Sequence, residues 1–301
     1  MSGRPEVSVA IVTYNARRVL GDCLDSLPAA LSRHSYEVIV ADNGSVDGTT
    51  GAVRAAAPAV RLIELGANRG FSYANNKAIH AARGRYVLLL NPDTVAGPGS
   101  IDDLVAFADA DPAIGVVAPR LLNADATDQG TARAFPTPAA ALFGRHSLLT
   151  RLFPNNRWSR RYLVGRQHTG DAPFEIDWVS GACMLVSRRA IDAAGSLDEG
   201  FFMYWEDADW CRRIKRSGYR VFCVPSARVV HLDGSRGHLP AYQVWAFHSS
   251  AYRYYSKHHA RQAWNPLRAL AAFVLYGRAA LIIARNQIAW PPRPSAAIGG
   301  K

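Results

Sequence analysis

Short apolar runs rich in β-branched residues alternate with helical periodicity from Val7 to Ala118, and this alternation restricts the fold more than any other feature of the chain. Val7–Thr13 reads as a strand. Ala16–Leu31 carries Val19, Leu20, Cys23, Leu24 and Leu27 at helical spacing, with Asn15 placed to cap it. The pattern then repeats: strand Glu37–Ala41, helix Gly48–Ala57, strand Val60–Leu65, helix Ser72–Ala82, strand Tyr86–Leu90, helix Gly99–Ala110, strand Ile114–Ala118. Short strands divided by helices imply an α/β chain with a mostly parallel sheet covered on both faces. Ligands on such sheets bind beyond the carboxyl ends of the strands. Here those ends read Tyr14-Asn15, Asp42-Asn43 and Asn91-Pro92-Asp93, a polar group wherever an apolar strand stops.

Downstream the periodicity fades from Arg120 to Asp177. Between Asp128 and Asp171 there are seven Arg and no acid, interleaved with Phe135, Phe143, Phe153, Trp158 and Tyr162, which reads as an irregular or partly helical insertion. Val179–Val186 returns as a buried strand, Arg188–Ala194 and Ala208–Ser217 as helices, Arg220–Val224 and Ala227–His231 as short strands, and Tyr242–His259 as an aromatic-rich helix. The domain expectation is a body over 1–236, made of 1–118, a variable basic insertion 119–178 and a half 179–236, followed by a helical, basic extension over 237–301.

With 49% hydrophobic and 20% charged residues in 301, wholesale disorder is excluded. The net charge of +11 is uneven: Met1–Cys211 holds 20 basic and 23 acidic residues, whereas Arg212–Lys301 holds 15 basic residues and only Asp233. A basic tail of this kind points to an anionic partner. Pro266–Trp290 is apolar apart from Arg268, Arg278, Arg285, Asn286 and Gln287. Its longest charge-free run, Ala269–Gly277, falls well short of the roughly 20 residues of a spanning helix. On a helical wheel Arg278 and Arg285 lie about 20° apart, so an interfacial helix is expected. The four cysteines are far apart, which fits a reduced compartment. The N-terminus has no apolar signal core, and a cytosolic location is expected.

Several segments could carry chemistry. No GxGxxG follows the first strand and no GxxxxGK[ST] loop occurs, so neither dinucleotide binding nor a P-loop is expected. Asp42-Asn43-Gly44-Ser45 is either an ordinary turn or a reader of a base, in which Asp42 accepts from an imide N–H and Asn43 adds a contact. Asn91-Pro92-Asp93 is either a turn or a holder of a hard divalent cation, which needs only one or two carboxylates when a diphosphate supplies the rest. Five acids between Asp198 and Asp209 are interrupted by Phe201, Phe202, Met203, Tyr204 and Trp205. They either cap a helix or give a carboxylate of raised proton affinity suited to a general base. His231, ending an apolar run, is either structural or a ligand.

Together these segments resemble the family 2 inverting glycosyltransferases of GT-A fold, and within them a bacterial rhamnosyltransferase-like branch. The resemblance covers about Val7–Arg236. It rests on Ser8–Asn15, Ala41–Gly48, Asn68-Arg69-Gly70-Phe71 with Asn75-Asn76, Leu88–Thr94, Ser180-Gly181-Ala182 and Phe202–Trp210. It implies a GT-A (Rossmann-like) sheet and a nucleoside pocket lined by Thr13, Tyr14, Asn15, Asp42 and Asn43, with Asn68, Arg69 and Asn75 over the same site. Asn91 stands where the metal motif usually opens with Asp and is counted with the nucleotide contacts. Asp93 and His231 are implied as ligands of Mg²⁺ or Mn²⁺. Asp207 is implied as the catalytic base, with Trp205, Glu206 and Asp209 supporting it or meeting the acceptor. The resemblance also implies a dTDP- or UDP-sugar donor, dTDP-rhamnose favoured. The acceptor expected is a polyprenyl-diphosphate-linked saccharide of cell-envelope synthesis, used at an anionic membrane surface by a peripheral cytoplasmic hexosyltransferase. Two rivals are a nucleotidylyltransferase, which would open with a Gly-rich stretch, and a basic nucleic-acid or anionic-surface binder, which leaves the polar strand ends unexplained.

Overall fold

The computed structural model describes residues 3–57, 59–137, 168, 170–232 and 239–289. Phe143, Phe153, Trp158 and Tyr162 of the basic stretch, together with Asp233, Arg236 and Trp290, lie outside the described residues. Two units divide the chain: Met1–Phe202 with Glu206–Asp233, and Met203–Trp205 with Gly234–Lys301.

The first unit is built on a nine-stranded sheet. Strands β1 (Val7–Thr13), β2 (Tyr36–Asp42), β3 (Arg61–Glu64) and β4 (Tyr86–Leu90) pair in parallel in the order β3-β2-β1-β4. Every residue of β1 is buried, as expected of a central strand whose two faces are both covered. Helices α1 (Leu20–Ala30), α2 (Thr49–Ala56) and α3 (Phe71–Ala81) connect these strands, and α4 (Ser100–Asp109) comes after β4. Leu20, Cys23 and Leu27 of α1 join Val7, Val9, Ile11, Leu88, Ile101 and Leu104 in one core.

Beyond β4 the sheet is mixed. After β5 (Thr94–Ala96) and β6 (Ile114–Leu122) come the short strands β7 (Ala132–Arg133), β8 (Phe174–Glu175) and β9 (Trp178–Val179), and then β10 (Cys183–Ser187). Strand β10 runs antiparallel between β4 and β6. Helices α5 (Arg188–Ala194) and α6 (Glu206–Arg216) precede β11 (Arg220–His231). This last strand pairs in parallel with β6 and antiparallel with β5 and β8.

Four local expectations are corrected. Helix α1 begins at Leu20 rather than Ala16, because Asn15 adopts a left-handed φ of 54° and its Oδ1 accepts from Val46 N at 2.9 Å instead of capping a helix. The two strands expected after Gly218 are one, β11, whose register with β6 slips between Val224 and Arg228. Pro225, which has no N–H to offer a ladder, sits in that irregularity. The expected buried strand Val179–Val186 is divided between β9 and β10. Strand β6 also continues past Ala118 to Leu122, into the region expected to be an insertion.

The second unit holds α7 (Ala241–His258) and α8 (Pro266–Ala289). They pack through Trp245 stacked on Tyr276, ring centroids 5.1 Å apart, with Tyr252 beside the same ring. Ser250 Oγ donates to Met203 O at 2.9 Å, and Trp205 lies against Phe247 and Tyr254. Ala279 is fully buried, whereas Leu267, Leu270, Phe273, Val274 and Leu281 are exposed.

Candidate active site

Because β2, β1 and β4 are parallel, Asp42, Thr13 and Asn91 fall at the same end of the sheet. Strand β10 runs the other way, with Cys183 opposite Leu90, so the residues entering it, Gly181 and Ala182, lie at that same end. Asn91 N donates to Ala182 O at 2.9 Å, joining the two segments directly.

At the first edge the Asp42 carboxylate is buried and fully oriented. Oδ1 accepts from Thr13 Oγ1 at 2.9 Å, and Oδ2 accepts from Gly44 N at 3.2 Å and Ser45 N at 2.9 Å. A carboxylate has about four lone-pair positions, so capacity remains for one further donor. The Asn43 side chain is buried and bonds within the protein. Its Nδ2 donates to Asn68 Oδ1 at 2.9 Å and to Gly70 O at 3.2 Å, while its Oδ1 accepts from Arg69 N at 2.9 Å. It therefore holds the 68–70 loop over the rim. The loop is tied down again beyond Gly70, where Phe71 N donates to Phe202 O at 2.6 Å. Gly70 has φ +95°, and a Cβ there would meet Phe202 O at 2.6 Å, so only glycine lets the two backbones approach. Tyr14 and Arg69 are exposed, with the guanidinium of Arg69 over the Tyr73 ring. Asn75 is buried and donates to Phe71 O at 3.0 Å.

At the centre the structure gathers Asn91, Asp93 and His231. The pairing of β5 with β11 sets His231 opposite Thr94, and Leu232 N donates to Asp93 O at 2.8 Å. His231 Nε2 then lies 3.2 Å from Asp93 Oδ1 and 3.3 Å from Asn91 Nδ2. His231 therefore adjoins the acid. No group of three or more His, Cys, Asp or Glu side chains suited to a metal occurs among the described residues. One carboxylate and one imidazole directed at each other nevertheless fit a divalent cation whose remaining positions come from diphosphate and water.

Asp207 stands at the start of α6. Oδ1 accepts from Ala208 N at 2.8 Å, and Oδ2 accepts from Gly181 N at 3.2 Å. Burial pushes its proton affinity up, against the backbone donors and the charge of Arg133. Glu206 is pushed well above the usual carboxylate range, by burial first and then by the charge of Asp207, and its Oε2 is buried without a hydrogen-bond partner. Asp209 points inward instead. Its fully buried carboxylate accepts from Arg213 Nε at 2.9 Å, and Arg213 in turn donates to Ala194 O at 2.5 Å and Ser196 O at 2.7 Å. That arrangement is an anchor for α6 rather than a surface for an acceptor. Tyr204 and Trp205, with φ of 70° and 69°, set the turn before Glu206, and the Trp205 ring packs in the second unit.

Sequence reasoning assigned no role to the Gly181 amide, although the Ser180-Gly181-Ala182 segment was visible as a motif. It also gave no sign of Gln129, whose Oε1 lies 2.9 Å from His231 Nδ1, because 102 residues separate the two.

A family model for "Glycosyl transferase family 2" matches residues 8–192. A curated relative from Mycobacterium tuberculosis, N-acetylglucosaminyl-diphospho-decaprenol L-rhamnosyltransferase, is 36% identical over 273 residues, covering 86% of this chain and 87% of the relative. Rhamnosyltransferase WbbL of Escherichia coli is 27% identical over 177 residues, covering 54% of this chain and 60% of WbbL. Among solved structures, the mannosyltransferase PcManGT from Pyrobaculum calidifontis, in complex with GDP-Man and Mn²⁺, superposes with a TM-score of 0.57 at 20% identity, covering 96% of this chain and 77% of that one. The likeness to that structure is one of fold.

Proposed function

The chain belongs to glycosyl transferase family 2, and we propose that it performs a single inverting displacement in which Asp207 deprotonates an acceptor hydroxyl. As a glycosyltransferase it moves a sugar from an activated donor, which sets nucleotidyl transfer and nucleic-acid binding aside. The observation that carries the assignment of the base is the seat of Asp207. Its carboxylate is oriented by the amides of Gly181 and Ala208, is raised in proton affinity by burial, and is bonded to the Gly181-Ala182 segment that adjoins Asn91. A base of raised proton affinity whose oxygens are fixed is suited to proton transfer near neutral pH.

In this reading the acceptor oxygen gives its proton to Asp207 and attacks the anomeric carbon from the face opposite the leaving nucleoside diphosphate. Thr13, Asp42 and the 68–70 loop hold the nucleoside, with Asn43 acting through that loop. Asp93 and His231 would hold Mg²⁺ or Mn²⁺, which when bound offsets the charge of the departing diphosphate. We assign a dTDP- or UDP-sugar as donor, with dTDP-rhamnose first. The acceptor assigned is a polyprenyl-diphosphate-linked saccharide in cell-envelope synthesis. The name of the Mycobacterium tuberculosis relative supports rhamnose as the sugar and a lipid-linked saccharide as the acceptor.

The second unit suits a membrane-surface acceptor. Helix α8 is long and apolar enough to cross a bilayer by length and composition. Arg278 near its middle would cost about 2.5–3.5 kcal/mol at the bilayer centre on insertion scales, which favours an interfacial position on the cytoplasmic leaflet. The body 1–236 is thus assigned to chemistry and 237–301 to the surface.

A panel of nucleotide sugars, assayed for diphosphate-nucleoside release with and without Mn²⁺, tests the reading. Release from dTDP-rhamnose that depends on the metal and on a lipid-linked acceptor is expected. Asp207→Asn should lose about 10²- to 10⁴-fold in kcat while binding dTDP as before. Turnover by Asp207→Asn close to that of the unmodified protein removes the base assignment.

A further inference from the structure

We infer that Gln129 is a positioning residue that fixes the tautomer of His231, keeping the proton on Nδ1 so that the Nε2 lone pair stays available beside Asp93. The inference rests on the reading of Asp93 and His231 as the metal pair.

Two contacts define the arrangement. Gln129 Nε2 donates to the His231 backbone carbonyl at 2.7 Å. A carbonyl only accepts, so this bond decides which end of the Gln129 amide is nitrogen. The other end, Oε1, is therefore the atom that lies 2.9 Å from His231 Nδ1. An amide oxygen also only accepts, so Nδ1 must carry the hydrogen. In a neutral imidazole that leaves Nε2 bare, and Nε2 is the atom 3.2 Å from Asp93 Oδ1.

The restraint opposes a real competitor. Without an acceptor at Nδ1, the Asp93 carboxylate would draw the imidazole hydrogen onto Nε2 and block the position a cation uses. Gln129 is itself held in place from several directions. Gln129 N donates to Leu121 O at 2.9 Å, Asp128 bridges back to Leu122, and Leu121 and Leu122 pair with Val229 and Val230 of β11. The return of β6 on itself thus delivers Gln129 to the end of the strand that carries His231. Partners of this sort on the far nitrogen of a ligating histidine commonly change metal affinity about 10- to 100-fold when removed.

The test compares the unmodified protein with Gln129→Met, which keeps the length but offers no oxygen, and Gln129→Glu, which keeps an acceptor for Nδ1–H. The imidazole nitrogens of ¹⁵N-His-labelled, metal-free protein are read by NMR at about pH 9, above the ordinary imidazole range. Mn²⁺ affinity is read separately by titration calorimetry with dTDP present. The unmodified protein and Gln129→Glu should show His231 protonated on Nδ1, and Gln129→Met should move it toward Nε2. Mn²⁺ binding should weaken about 10- to 100-fold in Gln129→Met and only slightly in Gln129→Glu. An unchanged tautomer in Gln129→Met overturns the inference, as does a changed tautomer with unchanged Mn²⁺ affinity. Failure of the unmodified protein to bind Mn²⁺ with dTDP overturns the metal reading itself, and the tautomer measurement distinguishes that failure from the first.

Discussion

At the residue scale the acidic segment separates into three tasks that its spacing alone left mixed. Asp207 faces the Gly181 amide, Asp209 is tied to Arg213, and Glu206 is buried with one oxygen unpartnered. Glu206 has a consequence for stability. Its proton affinity is higher in the folded chain than in the unfolded one, so the folded state favours the protonated form. The stability it contributes is complete below the unfolded carboxyl's range near about pH 4.3 and is lost as pH rises through the folded value. Glu206→Gln keeps the shape and removes the ionisation. Its melting temperature should exceed that of the unmodified protein by a few degrees at about pH 8, the gap shrinking as pH falls toward the carboxylate range. A gap that grows on acidification would contradict the burial argument. The polar strand ends, by contrast, were legible in the sequence, because a carboxylate immediately after an apolar strand has nowhere to point but the sheet rim. Which partners a rim side chain takes there was not legible: the Asn43 amide is engaged at both ends by the 68–70 loop.

Among the elements, the parallel strands and their helices followed from hydrophobic period, and Arg188–Ala194 and Tyr86–Leu90 match to the residue. Strand β5 was invisible, because Thr94–Ala96 is too short to show a period. Yet its antiparallel pairing with β11 is what brings His231 to Asp93. The turn into α3 is a second such case. Gly70 permits the bond between Phe71 N and Phe202 O, and Phe202 leads into the turn that precedes α6. Gly70→Ala adds a Cβ at left-handed φ and against that carbonyl oxygen. It should lower stability by about 1–3 kcal/mol, measured by urea denaturation, and should raise KM for the donor by displacing the Asn68–Gly70 loop. Unchanged stability would mean that the two backbones part at little cost.

For the molecule as a whole, charge and exposed apolar surface point the same way. Residues 212–301 carry 15 basic side chains and one acid, and α8 exposes Leu270 and Phe273, at 57% and 78%. The chain should float with anionic vesicles, less so as salt rises, and Leu270→Glu with Phe273→Glu should abolish flotation. Resistance of the bound protein to alkaline carbonate would indicate a spanning helix instead of an interfacial one. Sequence alone determined the α/β alternation, the identity of the rim residues, and a basic, apolar C-terminal helix, since each depends on neighbours within a few turns of chain. Tertiary structure alone decided that β10 runs antiparallel beside β4, that Gly181 orients Asp207, and that Gln129 meets His231. Those contacts join segments far apart along the chain, and local periodicity carries no record of which distant strand a strand will pair with.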